Sequence, residues 1–206
     1  MTAGRRLLLL RHGQTAWNES GRAQGHADIE LDDRGHRQAA AAAEHLAHLG
    51  PVAIWSSDLA RARQTSGYLE ERTGLSAKYD ERLREYDVGV RQGMTMDEFR
   101  ERWPDVHAAW SRGEDARLPG AETAADVRAR MLPALREMLD SLAPGDLGVV
   151  VSHGACLKVG LVALLGWPTA IEPTLRGVDN CAWAAVEEAE PGGRLRLAAY
   201  NETAGT

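Results

Sequence analysis

The chain has 206 residues, 44% hydrophobic and 26% charged, which suits one globular domain with a substantial core. The net charge of −6 gives no general support for a nucleic-acid partner, so an anionic ligand would need a local group of arginines. The two cysteines form neither a metal motif nor a disulfide framework, and no stretch predicts a signal peptide or a membrane span. We expect a single cytoplasmic domain over residues 1–206 that binds neither nucleic acid nor membrane.

The first predicted element is a buried strand over residues 7–10. Four consecutive leucines have no polar face, and Gly13 follows too soon for a helix. Arg11 and His12 therefore lie where the strand ends, which is the edge of an open α/β sheet where ligands bind. Taken alone, one histidine in such a place is more often a satisfied, partly buried imidazole.

An alanine-rich helix is predicted next, over residues 34–49. Asp33 is the predicted cap, and Gly50-Pro51 is the stop signal. His45 and His48 lie on one face of this helix, but a lone pair at that spacing is weak evidence for a metal site. We expect no metal here.

A second strand is predicted over residues 52–55, followed by a helix that Ser57 or Asp58 can cap. Arg61 falls one turn into this helix, near an end where amide groups and the helix dipole favour anions. On its own, Arg61 is as well explained as a surface cation.

Residues 75–79 predict a short strand, and residues 94–122 are interpreted as an insertion. The insertion contains a short helix ended by Pro104 and a second helix that carries Trp110. Two interpretations stay open: a lid over the site, or a helical pair packed on the side of the domain.

The following helix has a capping pair in Thr123 and Asp126, and Pro133 is expected to kink it. Its apolar residues recur at steps of four and three, which predicts a core-facing stripe. They are Val127, Met131, Leu135, Met138 and Leu142.

A further buried strand ends in Ser152-His153-Gly154, which repeats the pattern of the first strand. If the two strands are parallel neighbours, His12 and His153 face each other across one pocket. An apolar helix over residues 154–165 follows, and two strands joined by a glycine-rich turn close the chain as an edge hairpin. The pattern predicts a three-layer α/β sandwich with a mostly parallel central sheet, whose edge permits a homodimer.

Arg11-His12-Gly13 resembles the signature of the histidine phosphatase superfamily, in its phosphoglycerate mutase-like branch, and the likeness spans nearly the whole chain. The resemblance implies that Arg61 is a second phosphate-binding arginine, that Asn18 also contacts phosphate, and that Glu85 is the general acid and base. It also implies a supporting role for Glu122 in the turn before the capped helix.

One departure from the family pattern affects the rim of the pocket. Arg91-Gln92 stands where members often have Trp-Glu, which leaves Glu85 untouched but weakens any inference about substrate.

These residue types suit phosphoryl transfer. Arg11 and Arg61 can each donate two hydrogen bonds to a phosphate, and a neutral nitrogen of His12 can attack phosphorus to form a phosphohistidine. His153 would hold the transferring oxygens, and Glu85 would protonate the leaving oxygen and then activate water. No cofactor is expected.

The leading interpretation is a metal-independent phosphatase acting on small phosphomonoesters such as phosphoglycerate derivatives or sugar phosphates. The alternative enzyme is a phosphoglycerate mutase, which the short insertion without an Arg-Arg pair disfavours. A non-catalytic regulatory protein on the same fold is a third interpretation, disfavoured because every expected catalytic position is filled.

Overall fold

The fold is taken from a computed structural model, which describes residues 3–112, 114 and 116–204. Strand β1 (Arg6–Arg11) lies inside the sheet, and its four leucines are all buried. It pairs in parallel with β4 (Leu147–Ser152) and antiparallel with β5 (Trp183–Glu188). Arg11 lies opposite Ser152 in this register, so the two strands end side by side as the sequence predicts.

The described residues form one six-stranded sheet. Three of its pairs, β1–β4, β2–β4 and β2–β3, are parallel, and the two pairs that involve β5 are antiparallel. Across the sheet, the strands follow the order β3 (Ala77–Tyr79), β2 (Ala53–Ser56), β4, β1, β5 and β6 (Leu195–Glu202). The predicted mostly parallel sheet with a closing hairpin is confirmed.

Helices cover both faces of the sheet, which explains the unbroken leucine run. Leu8 and Leu10 point toward α2 (Asp33–Ala47) and α3 (Ala60–Thr73), whereas Leu7 and Leu9 point toward α6 (Ala124–Asp140) and α7 (Gly154–Leu164). Successive strand residues alternate between faces, so a strand with two covered faces must be apolar throughout.

Two predicted helix caps are wrong in detail. The Asp32 side chain caps α2 by accepting from the Gly35 amide at 2.7 Å, and Asp33 is already helical. For α3, neither Ser57 nor Asp58 is the cap. The Ala60 amide instead donates to Asp28, which lies 32 residues earlier in the chain, at 2.6 Å.

Two of the predictions for α6 are confirmed, the capping pair and the buried stripe, while the kink at Pro133 stays a prediction. Thr123 and Asp126 form a capping box, and the predicted apolar stripe is buried. The helix continues as one element through Pro133.

The insertion contains two short helices, α4 (Met96–Arg102) and α5 (Pro104–Ser111). Phe99 of α4 is fully buried and stacks on Trp110 of α5, with ring centroids 4.9 Å apart. This contact fixes the angle between two helices that are each too short to be stable alone. A four-residue helix, α1 (Ala16–Glu19), follows β1. In the part of the chain that the structure describes, no helix is long and apolar enough to span a bilayer.

Candidate active site

A cleft of about 430 Å³ opens at the carboxyl end of β1. Its inner wall carries Arg11, His12, Asn18, Arg61 and Glu85, five of the six residues that the sequence assigns to the site. The carboxyl edge of the parallel strands is where the α/β architecture places ligands.

His12 follows β1 directly, and one backbone hydrogen bond sets its tautomer. Its Nδ1 lies 2.7 Å from the carbonyl oxygen of Gly13, which can only accept, so Nδ1 carries the proton. Nε2 is then unprotonated. Burial, aided by Arg11 and Arg61, holds the pKa of His12 well below its usual value. The ring is therefore neutral at neutral pH, with a lone pair on Nε2.

Gly13 is required because the turn after β1 packs directly on the start of α2. A Cβ at Gly13 would lie 2.5 Å from the carbonyl oxygen of Gly35, and a Cβ at Gly35 would lie 2.0 Å from that of Gln14. Neither position can take a side chain without moving the backbone that carries His12.

Two arginines, the buried Arg61 and the half-buried Arg11, lie beside His12. Arg61 is 1% exposed and donates to the carbonyl oxygens of Gly25 at 2.9 Å and Ala27 at 2.8 Å. Arg11 donates to the carbonyl of Val178 at 2.8 Å. Burial lowers the pKa of both, that of Arg61 to about 10, so both stay charged at neutral pH. Two cations held by neutral carbonyls create a local positive field suited to an anion.

His153 lies behind this pair. Its ring centroid is 5.1 Å from that of His12, which confirms that the two strand ends bring the histidines together. Nδ1 accepts from Nε of Arg61 at 3.1 Å, so Nε2 carries the proton and donates to the hydroxyl of Ser57 at 2.8 Å. His153 is fully buried and contacts the cleft through Arg61.

Glu85 is held at the amino end of α7. Its carboxylate accepts from the amides of Ala155 at 3.1 Å, Cys156 at 3.0 Å and Tyr86 at 2.9 Å. Helix N-termini favour negative groups, so this placement fixes the carboxylate at the cleft wall.

The segment that carries Glu85 is clamped by Arg130, which the sequence reasoning missed. Arg130 donates to the carbonyls of Arg82, Arg84 and Glu85 at 2.7–2.9 Å. It also forms a two-pronged ion pair with Glu122, with both contacts at 2.8 Å. Glu122, predicted as a supporting residue, lies in this clamp.

No sequence pattern marked Arg130, because it lies beside the apolar stripe of α6 and its partners come from two distant segments.

Asn18 is tied to His12 through Asn180, the other residue that the sequence reasoning left without a role. The side-chain Nδ2 of Asn180 donates to the carbonyl of His12 at 3.1 Å and to Oδ1 of Asn18 at 3.2 Å. Oδ1 of Asn18 also accepts from the Thr15 amide at 3.2 Å, which leaves its Nδ2 as the donor for a ligand.

The outer part of the cleft is built by the insertion and by the segment after Glu85. It is lined by Val88, Arg91, Trp110, Ala116, Leu118 and Ala121. Residues of the 94–122 segment thus form one wall of the cleft, while their movement as a lid stays a prediction. Among the described residues, no group of three or more histidine, cysteine or acidic side chains could hold a metal ion.

A neutral buried histidine, one buried and one half-buried arginine, and a carboxylate lie together in this cleft, an arrangement that suits phosphoryl transfer. The chain belongs to the histidine phosphatase superfamily (branch 1), whose family model matches residues 7–202.

Two curated relatives are similar to this chain over most of their length. A glucosyl-3-phosphoglycerate phosphatase of Mycolicibacterium vanbaalenii is 40% identical over 97% of this chain and 96% of its own length. A protein of Cronobacter sakazakii named as a probable phosphoglycerate mutase is 35% identical over 88% of this chain and 84% of its own.

Among solved structures, a mycobacterial glucosyl-3-phosphoglycerate phosphatase in complex with VO3 matches with a TM-score of 0.89. It is 39% identical and covers 97% of this chain and 100% of its own.

Proposed function

We propose that the protein hydrolyses small phosphomonoesters of the phosphoglycerate type through a phosphohistidine on His12. The observation that carries this proposal is the hydrogen bond from Nδ1 of His12 to the carbonyl of Gly13, which leaves Nε2 unprotonated beside Arg11 and Arg61. The similarity to glucosyl-3-phosphoglycerate phosphatase supports the substrate class.

In the first half-reaction, Nε2 of His12 attacks phosphorus and the bond to the leaving oxygen breaks. Arg11, Arg61 and Asn18 hold the phosphoryl oxygens, and Glu85 in its acid form gives its proton to the leaving oxygen. In the second half-reaction, Glu85 takes a proton from water, the hydroxyl attacks phosphorus, and inorganic phosphate leaves His12. No electron transfer and no metal are needed for either step to balance.

His153 has a less direct place in this scheme. Both of its ring nitrogens are engaged, by Arg61 and by Ser57, so it supports the phosphoryl group by fixing Arg61. The direct contact with phosphate that the sequence predicts would require one of these two hydrogen bonds to be exchanged.

The test combines labelling of the intermediate with product analysis. In EDTA, brief reaction with a ³²P-labelled substrate should leave acid-labile, base-stable label on the wild type and none on His12→Ala. Label retained by the variant would refute the assignment of His12.

A second experiment separates the phosphatase from the mutase. With 3-phosphoglycerate and 2,3-bisphosphoglycerate present, release of phosphate should be faster than interconversion of the 2- and 3-isomers. Isomerisation ten times faster than release would establish the mutase instead.

Cytoplasmic location and self-association also stay proposals. β6 is the terminal strand of the described sheet, so a homodimer could form through this edge. A measurement of molar mass in solution would show whether the protein is a monomer or a dimer.

A further inference from the structure

Arg91 is a half-buried cation in the outer wall of the cleft. Its guanidinium carbon lies 5.3 Å from the ring centroid of Phe99 and 5.6 Å from that of Trp110. Its Nε is buried and has no hydrogen-bond partner among the described residues. Burial lowers the pKa of Arg91, and no described acidic group opposes that shift.

The other arginines at the cleft each donate to at least one described carbonyl oxygen, although Nε of Arg11 is also buried without a partner among the described residues. Arg22 donates to the carbonyl of Gly93 at 2.6 Å and pairs with Glu98 at 3.1 Å. Arg61 is bound to two carbonyls and His153, and Arg11 to the carbonyl of Val178. Aromatic faces stabilise the cation of Arg91 only partially, because they do not replace the hydrogen bonds to oxygen that its N–H groups can donate. A partly buried cation without an anionic partner is stabilised when an anion arrives.

The acidic residues of the cleft wall are engaged elsewhere. Glu85 accepts three backbone amides, Glu122 is paired with Arg130, and Asp87 accepts from the Gly89 amide at 2.9 Å. The cleft is also far larger than a phosphate group, so its outer part receives the organic portion of a ligand.

We propose that Arg91 binds a carboxylate on the organic portion of the substrate while the phosphoryl group occupies the site at His12. This inference rests on the proposed function, because the phosphoryl group sets which end of the substrate faces Arg91. A planar guanidinium packed against the stacked rings of Phe99 and Trp110 is restrained in its orientation, and its fork matches a carboxylate better than an ammonium group would. The arginine that departs from the usual family pattern is therefore the one that selects an acid over an alcohol.

The test compares two substrates that differ only in this group. 3-Phosphoglycerate carries a carboxylate where glycerol 3-phosphate carries a hydroxymethyl group. Arg91→Met should lower kcat/KM for 3-phosphoglycerate by about 10- to 100-fold, mainly through KM, because a hydrogen-bonded charge pair is lost. The value for glycerol 3-phosphate should change by less than about threefold. Arg91→Lys should restore part of the preference, because it keeps the charge and loses the fork.

A matched control is Arg100→Met, which removes an exposed arginine from the same insertion and should change neither substrate. Equal losses on both substrates in Arg91→Met, with no rescue by lysine, would show that Arg91 only packs the insertion and would overturn the proposal. Failure of the proposed function looks different, since the wild type would then release no phosphate from either substrate or from p-nitrophenyl phosphate.

Discussion

Glu85 is held by three backbone amides, so its position does not depend on the substrate. An acid that is fixed in this way matters most when the leaving oxygen is basic. An alkoxide needs a proton as the bond to phosphorus breaks, whereas p-nitrophenolate hardly does. General acid catalysis contributes about 10²–10⁴-fold, which sets the scale of the expected effect.

Glu85→Gln keeps the size of the side chain, and its single amide oxygen can still accept from the Tyr86 and Cys156 amides, but it cannot transfer a proton. It should slow phosphorylation of His12 by an alkyl phosphate by about 10²–10⁴-fold. With p-nitrophenyl phosphate, single-turnover phosphorylation should largely survive as a burst of nitrophenol, followed by slow turnover because attack by water still needs the base. Equal single-turnover losses with both substrates would mean that the acid lies elsewhere, and Asp87 would then be tested.

At the scale of elements, the cleft is held together by contacts between segments that are far apart in sequence. Arg130 of α6 binds three carbonyls of the segment around Glu85, and His26 adds a contact from its Nε2 to the carbonyl of Glu85 at 2.9 Å. Arg130 touches no reacting atom in the proposed mechanism. It is a positioning residue that acts through Glu85.

Arg130→Met should therefore resemble a weak form of Glu85→Gln. We expect kcat for an alkyl phosphate to fall by about 10-fold or more, because misplacing a catalytic group by about 1 Å can cost 10²-fold. The burst with p-nitrophenyl phosphate should be nearly unchanged. The control is Arg128→Met, two residues earlier on α6. This variant removes the ion pair between Arg128 and Glu172 and leaves Arg130 in place. A uniform loss on both substrates would indicate general destabilisation instead.

The inner strands of the sheet were predictable because a strand that is buried on two faces has an unbroken apolar run in its sequence, such as residues 7–10. His12 and His153 were found together for the same reason, since both follow such runs in strands that pair in parallel. Helix starts were less predictable. The amide at the start of α3 is satisfied by Asp28 from another segment, and no spacing rule connects residues 28 and 60. Arg130 and Asn180 were missed on the same grounds, because their partners are defined only by the folded chain.

For the whole molecule, the two site histidines make the free energy of unfolding depend on pH. Both are buried and neutral in the folded protein, with pKa values held well below 6.5 by burial and neighbouring arginines. In the unfolded chain, each histidine titrates near its ordinary pKa of about 6.5. Between these two pKa values the unfolded chain binds more protons, so stability rises with pH in that range. The contribution is complete above about pH 6.5 and is lost as the pH falls below it.

The free energy of unfolding should therefore drop by about 1 kcal/mol per histidine between pH 6.5 and 5.5. Urea titrations of the wild type at pH 7.5, 6.5 and 5.5 measure the total, and His12→Asn isolates one share. The variant should lose about 1 kcal/mol less than the wild type over that last unit, because asparagine does not titrate. The control variant is His48→Asn, which removes an exposed histidine at the end of α2 and leaves the buried pair intact. If His12→Asn and the wild type lost stability in parallel, protonation of His12 on unfolding could not be a source of the acid sensitivity.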